Sequence, residues 1–176
     1  PESPQRLTAI IDHLQGCGLY AKLTKLTPQP ASQKWLAKVH DADYIERARR
    51  ACAEGDEYLD SGDVPISTKS YDAAVMAAGG VLTAVDAILA GQVANAFCAV
   101  RPPGHHALDD RAMGFCIFNN VAIGTRYVQE QYKLAKVLIV DWDVHHGNGT
   151  QAAFYEAPSV LYFSVHQYPF YPGTGA

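Results

Sequence analysis

The stretch VLIVDWDVHHGNGTQ, Val137 to Gln151, places Asp141, Asp143, His145 and His146 directly behind a run of residues typical of a buried strand. On an extended backbone, side chains two apart point the same way, so Asp141, Asp143 and His145 share one face while Val140, Trp142 and Val144 take the other. A carboxylate and an imidazole suit a borderline divalent metal such as zinc, and a catalytic zinc usually takes three protein ligands and a water. Taken alone, Asp-x-Asp-x-His at a strand end reads equally well as a helix cap or a satisfied turn. A second pair of adjacent histidines, His105 and His106 in RPPGHHA, tips the balance. Two such pairs at strand ends of a 176-residue chain are hard to explain as surface or core residues.

The elements that must position these residues alternate along the chain. Apolar spacing predicts helices over Arg6 to Leu14, Asp43 to Glu54, Ser70 to Ala90 and Asn119 to Tyr132, with a short one from Thr150 to Tyr155. Gly55 to Thr68 reads as a surface loop rich in turn formers. Continuous apolar runs predict buried strands at Asn95 to Val100, from about Lys136 through KVLIVDW, and at Ser159 to Val165. Strands of this kind separated by helices predict a parallel sheet covered on both faces, whose sites lie beyond the carboxyl ends of the strands. The rule selects three loops: Arg101 to Asn120, DVHHGNGT, and HQYPFYPGTGA.

Composition narrows the partners. With 176 residues, 48% of them hydrophobic, the chain fits a single domain with a sizeable core. Charged residues make up 18% and the formal net charge is −4, which gives no electrostatic basis for binding nucleic acid or an anionic membrane. No uninterrupted apolar run approaches the roughly 18 residues of a membrane span. Cys17, Cys52, Cys98 and Cys116 show no paired spacing and read as reduced thiols, with the cytoplasm as the expected compartment.

Four motifs, RPPGHHA at Arg101–Ala107, MGFCIFNN at Met113–Asn120, DWDVHHGNGTQ at Asp141–Gln151 and YPGTG at Tyr171–Gly175, together resemble the zinc-dependent histone deacetylase family. The match is to its class II-like branch of bacterial amidohydrolases and acetylpolyamine amidohydrolases. PESPQRL at the start and VHDADYI at Val39–Ile45 are weaker matches, and the resemblance runs over essentially the whole chain. It implies an arginase-like three-layer α/β/α fold with a parallel sheet. It also implies removal of acetyl groups from lysine side chains or acetylpolyamines by zinc-activated water.

Carried over residue by residue, Asp143 and His145 match two zinc ligands, and His105 and His106 match the tandem histidines, the second being general base and then acid. Asp141 matches the carboxylate paired with the first histidine. Asn148 stands where another branch of the family has an aspartate facing the second, which implies a less basic His106. Gly114 and Phe115 match the wall of the acyl-lysine tunnel, with Tyr171 as the facing aromatic and Asp63 as the rim aspartate that holds the substrate backbone. Asp141, Asp143, His145, Ser164 and Val165 match a structural site for a monovalent cation such as potassium, mainly through backbone oxygens. Glu57, Asp60 and Asp63 form an acidic rim expected to favour a cationic substrate, whereas Asp109 and Asp110 read as a solvated loop.

In the family, the third zinc ligand and the oxyanion donor lie C-terminal of the PGTG turn, and no aspartate follows Asp143 in this sequence. Two expectations follow. One is a partial deacetylase domain whose remaining groups come from elsewhere. The other is a non-catalytic, truncated deacetylase-like domain that binds metal weakly and self-associates through an uncovered sheet.

Overall fold

The computed structural model describes residues 2–176. Helix α1 spans Gln5–Gly16, α2 Gln33–Leu36, α3 Ala42–Glu54, α4 Ser70–Leu89, α5 Asn120–Tyr132 and α6 Asn148–Phe154; strands β1, Val137–Asp141, and β2, Val160–Ser164, flank α6. Helix α3 buries Tyr44, Ile45, Ala48, Ala51 and Cys52, one stripe at helical spacing, and ends where Gly55 turns left-handed at φ 81°. Asn119 starts α5 by accepting the Ala122 N–H on its side chain at 3.1 Å.

In α4 the residues buried against the rest of the molecule are mostly small, including Ala74, Ala77, Ala78 and Gly79. A Cβ at Gly79 would strike the backbone of Gln29 and Ala31. By length and a mean hydropathy of 1.6, α4 is apolar enough to cross a membrane, a property that counting uninterrupted apolar residues passes over. Its buried face belongs to the main core, which joins Ala74, Ala78 and Leu82 to Leu36, Tyr44, Ile45, Phe118 and Ile123.

Strands β1 and β2 pair in parallel, with Val137 opposite Val160 and Asp141 opposite Ser164. Ile139 and Val160 turn to one face and pack with Ala122 of α5 and Phe154 of α6. On the other face Leu138, Val140, Leu161 and Phe163 are exposed. The sheet is therefore covered on one side within this chain, not on both as the sequence pattern suggests.

The run Asn95–Val100 is not a strand. It takes no place in the sheet, and Phe97 is 74% exposed. An apolar run becomes a strand only when a neighbour accepts its N–H groups; here β1 and β2 bond to each other, and 95–100 instead lines a groove with Leu14 and Leu23. Helix α2, which is four residues long, has too short a pattern to be read from periodicity.

Buried His40 ties together two parts of the 101–120 loop that leads to the site. Its Nδ1 lies 2.7 Å from the Leu108 carbonyl, and its Nε2 accepts the Asn119 N–H at 2.9 Å. That pairing requires a neutral ring, and burial pushes its pKa from 6.5 down to about 4. The unfolded chain takes up this proton below pH 6.5, and the folded chain not until about 4. The stability contributed is thus complete above 6.5 and declines as pH falls toward 4, by up to about 1.4 kcal/mol per pH unit. Urea denaturation at a series of pH values is expected to show that slope. In His40→Gln, whose amide donates and accepts without titrating, the slope should flatten.

Candidate active site

The loops after the sheet and after the 95–100 run converge at one end of the molecule. His105 and His106 sit side by side with ring centroids 4.0 Å apart. The His105 Nδ1–H donates to Asp141 Oδ2 at 3.0 Å, and the Tyr162 hydroxyl donates to the same oxygen at 2.9 Å. Burial would raise the Asp141 carboxyl, but these donors, with the Asp143 N–H, hold it below the usual carboxylate range.

His106 Nδ1 lies 2.8 Å from Asn148 Oδ1, and Asn148 Nδ2 donates to Met113 Sδ at 3.2 Å. The amide oxygen therefore faces the ring, Nδ1 carries the hydrogen, and Nε2 keeps its lone pair. Burial, reinforced by His105, lowers the His106 pKa to about 4.

Asp143 Oδ1 lies 3.0 Å from His145 Nδ1 and 3.8 Å from His105 Nε2. Two donors at about 2.0–2.1 Å from one zinc ion would stand roughly this far apart, so the Asp143–His145 pair fits two coordination positions. Among the described residues no group of three His, Cys, Asp or Glu converges to complete such a site. Ser164 pairs with Asp141 in the sheet register, and the Val165 N–H donates to the Asp141 backbone oxygen at 3.0 Å, so three of the five residues matched to the monovalent-cation site lie together at the end of the sheet.

The structure also brings the expected channel residues to this place. Tyr171 packs edge-on against His106 and His145, at centroid distances of 4.9 and 6.0 Å. Gly114 leaves no room for a side chain, because a Cβ there would press into the His106 ring. Phe115 follows it with a positive φ of 66° and is partly exposed. Asp63 accepts the Gly114 N–H at 3.0 Å and the Tyr171 hydroxyl at 2.8 Å.

Of the acidic rim, Glu57 is exposed. Asp60 is not a free charge, since Arg47 Nε and Nη2 donate to its two oxygens at 3.1 and 3.3 Å. Asp109 and Asp110 are exposed, as the sequence suggests. Tyr162 and Met113 are the contacts that sequence reasoning missed. Alternation along β2 could have placed Tyr162 on the face of Asp141, because Tyr162 and Ser164 are two apart. Met113 opens the MGFCIFNN motif, but nothing in that motif marks it as a partner of Asn148.

The α/β layering and a histidine–carboxylate site beyond the ends of parallel strands define a class of protein, and comparison with known proteins narrows it. The histone deacetylase domain model matches residues 1–176, and the chain belongs to that family. It is 44% identical over 191 residues to polyamine deacetylase HDAC10 of Rattus norvegicus, covering 99% of this chain and 32% of that protein. It is 43% identical over 167 residues to the histone deacetylase-like amidohydrolase of Pseudomonas aeruginosa, covering 95% of this chain and 43% of that one. The crystal structure of the HDA15 HD domain superposes with a TM-score of 0.95 at 40% identity, covering all of this chain and 52% of the other. The α/β fold with a parallel sheet is thus the shared fold, and the chain spans less than half the length of the two curated relatives.

Gly147 lies against the core of this arrangement: a Cβ there would meet Asp141 Oδ2, the Tyr162 hydroxyl and His105 Nδ1. Gly147→Ala must force these groups apart, and a loss of about 1–3 kcal/mol in thermal or urea unfolding is expected.

Proposed function

We propose that this chain supplies the proton-moving groups and two zinc ligands of a deacetylase acting on acetylated lysine side chains or acetylpolyamines. The observation that supports it best is the orientation of His106. Asn148 holds its Nδ1–H at 2.8 Å, which leaves Nε2 as a base. His106 is neutral near pH 7, as its lowered pKa requires, so it can accept a proton from an attacking water and return it to the leaving amine.

His105 is tied to an anionic Asp141, so its ring is held in place with Nδ1 as donor. Asp143 and His145 would hold the zinc ion. When bound, zinc supplies a Lewis acid that polarises a carbonyl and makes a water nucleophilic near neutral pH. Tyr171, Gly114 and Phe115 line the approach to His106 and restrict it to a slender acyl-amine. Asp141, Asp143, His145, Ser164 and Val165 would surround a structural potassium ion. The names of the relatives, a polyamine deacetylase and an amidohydrolase, support amide hydrolysis as the reaction class.

Elemental analysis of the purified chain is expected to find zinc, with loss in Asp143→Ala. Hydrolysis of an acetyl-lysine peptide or an acetylpolyamine is expected to fall about 10²–10⁴-fold in His106→Ala. A chain that takes up no zinc from a zinc-replete buffer and hydrolyses neither substrate would favour a non-catalytic domain.

A further inference from the structure

The segment from Gln167 to Gly175 crosses the site as a strap fixed at both ends. At its start the Gln167 N–H donates to the Val144 carbonyl at 2.9 Å. At its end two imidazoles that the reaction does not use hold it down. Buried His146 places Nδ1 2.8 Å from Thr174 Oγ1, and His166 places Nε2 2.9 Å from the Gly175 carbonyl. The two ring centroids lie 4.7 Å apart, with the planes tilted at 46°. Gly175, at φ 90°, lies so close that a Cβ would strike both rings.

Between these anchors the strap lowers Tyr171 onto His106, and its hydroxyl reaches Asp63, 108 positions earlier. Asp63 has further donors. The Gly114 N–H shares Oδ2 with Tyr171, the Ser61 hydroxyl donates to Oδ1, and the Phe115 N–H donates to the Asp63 backbone oxygen at 3.2 Å. Gly114 and Phe115 both have positive φ, 57° and 66°. Phe avoids that conformation unless its surroundings hold it, and here Asp63 does so from main chain and side chain together. A Cβ on Gly114 would come within 3.0 Å of the Tyr171 hydroxyl and would strike the His106 ring, so Tyr171 and Gly114 meet each other beside that ring.

We infer that Asp63 is a positioning residue whose carboxylate latches Tyr171 to the Gly114–Phe115 turn, and that this latch sets the width of the passage to His106, selecting small acyl groups. The resemblance implies a carboxylate waiting for a substrate backbone; in the structure three donors already engage it. The selective role rests on the amide-hydrolase reading, whereas the latch itself does not.

Two variants of the full chain test it. Tyr171→Phe keeps the ring and removes only the hydroxyl; Asp63→Asn keeps the shape and removes the charge. Hydrogen exchange followed by mass spectrometry is expected to quicken about five-fold over residues 167–175 and 112–116 in Tyr171→Phe, the effect of one net hydrogen bond. With active protein, the ratio of kcat/KM for a butyryl-lysine peptide over an acetyl-lysine peptide should rise by a similar factor. A folded but generally weakened enzyme would lose both rates together. Unchanged exchange in both variants overturns the latch, whether or not either peptide is hydrolysed. Faster exchange with an unchanged ratio overturns the selective role. Faster exchange in a chain that hydrolyses neither peptide keeps the latch and defeats the hydrolase reading.

Discussion

The carboxylate of Asp141 ends strand β1 in a largely buried position, and an ion there is tolerated only because donors from separate stretches of chain meet it. The His105 ring comes from the loop after the 95–100 run, the Tyr162 hydroxyl from β2, and the Asp143 N–H from the turn that follows. An unpaired buried carboxylate would cost several kcal/mol, so these segments are bound to one another through it. The arrangement fixes the His105 ring, and His105 in turn lies against His106. Removing any one donor would leave the charge under-satisfied and release the ring it orients.

A different logic governs His106. It carries no carboxylate partner; an amide faces it, and the amide is itself turned by a thioether. Neighbouring imidazoles thus receive opposite treatment, one beside an anion and one beside a neutral acceptor in a drier setting.

Much of this was readable from the residues alone, for reasons that can be named. Helices α3, α4 and α5 carry apolar stripes and end signals that their own sequences determine. Asp141, Asp143, His105 and His106 stand out because their types are improbable beside apolar runs, whereas Asn148 is marked only by the family resemblance. Asn95–Val100 misled because apolar composition records a preference for the interior and says nothing about a bonding neighbour. The contacts of Tyr162 and Tyr171 were hidden for a related reason, although the resemblance already puts Tyr171 in the tunnel wall. The first acts through its register against β1, and the second through a contact with Asp63 closed over a long loop. Local sequence encodes propensity and periodicity; pairing across the fold is a property of the whole chain.

Trp142, between the two aspartates on the open side of the sheet, is 84% exposed. The other of the chain's two tryptophans, Trp35, packs edge-on to Tyr127 at 4.7 Å. Trp142 is therefore the wetter of the two indoles, Trp35 being half-buried, and its emission is expected to lie to the red of that of Trp35. Because Trp142 shares its backbone with Asp141 and Asp143, the chain carries its own optical reporter on the segment where charge is gathered.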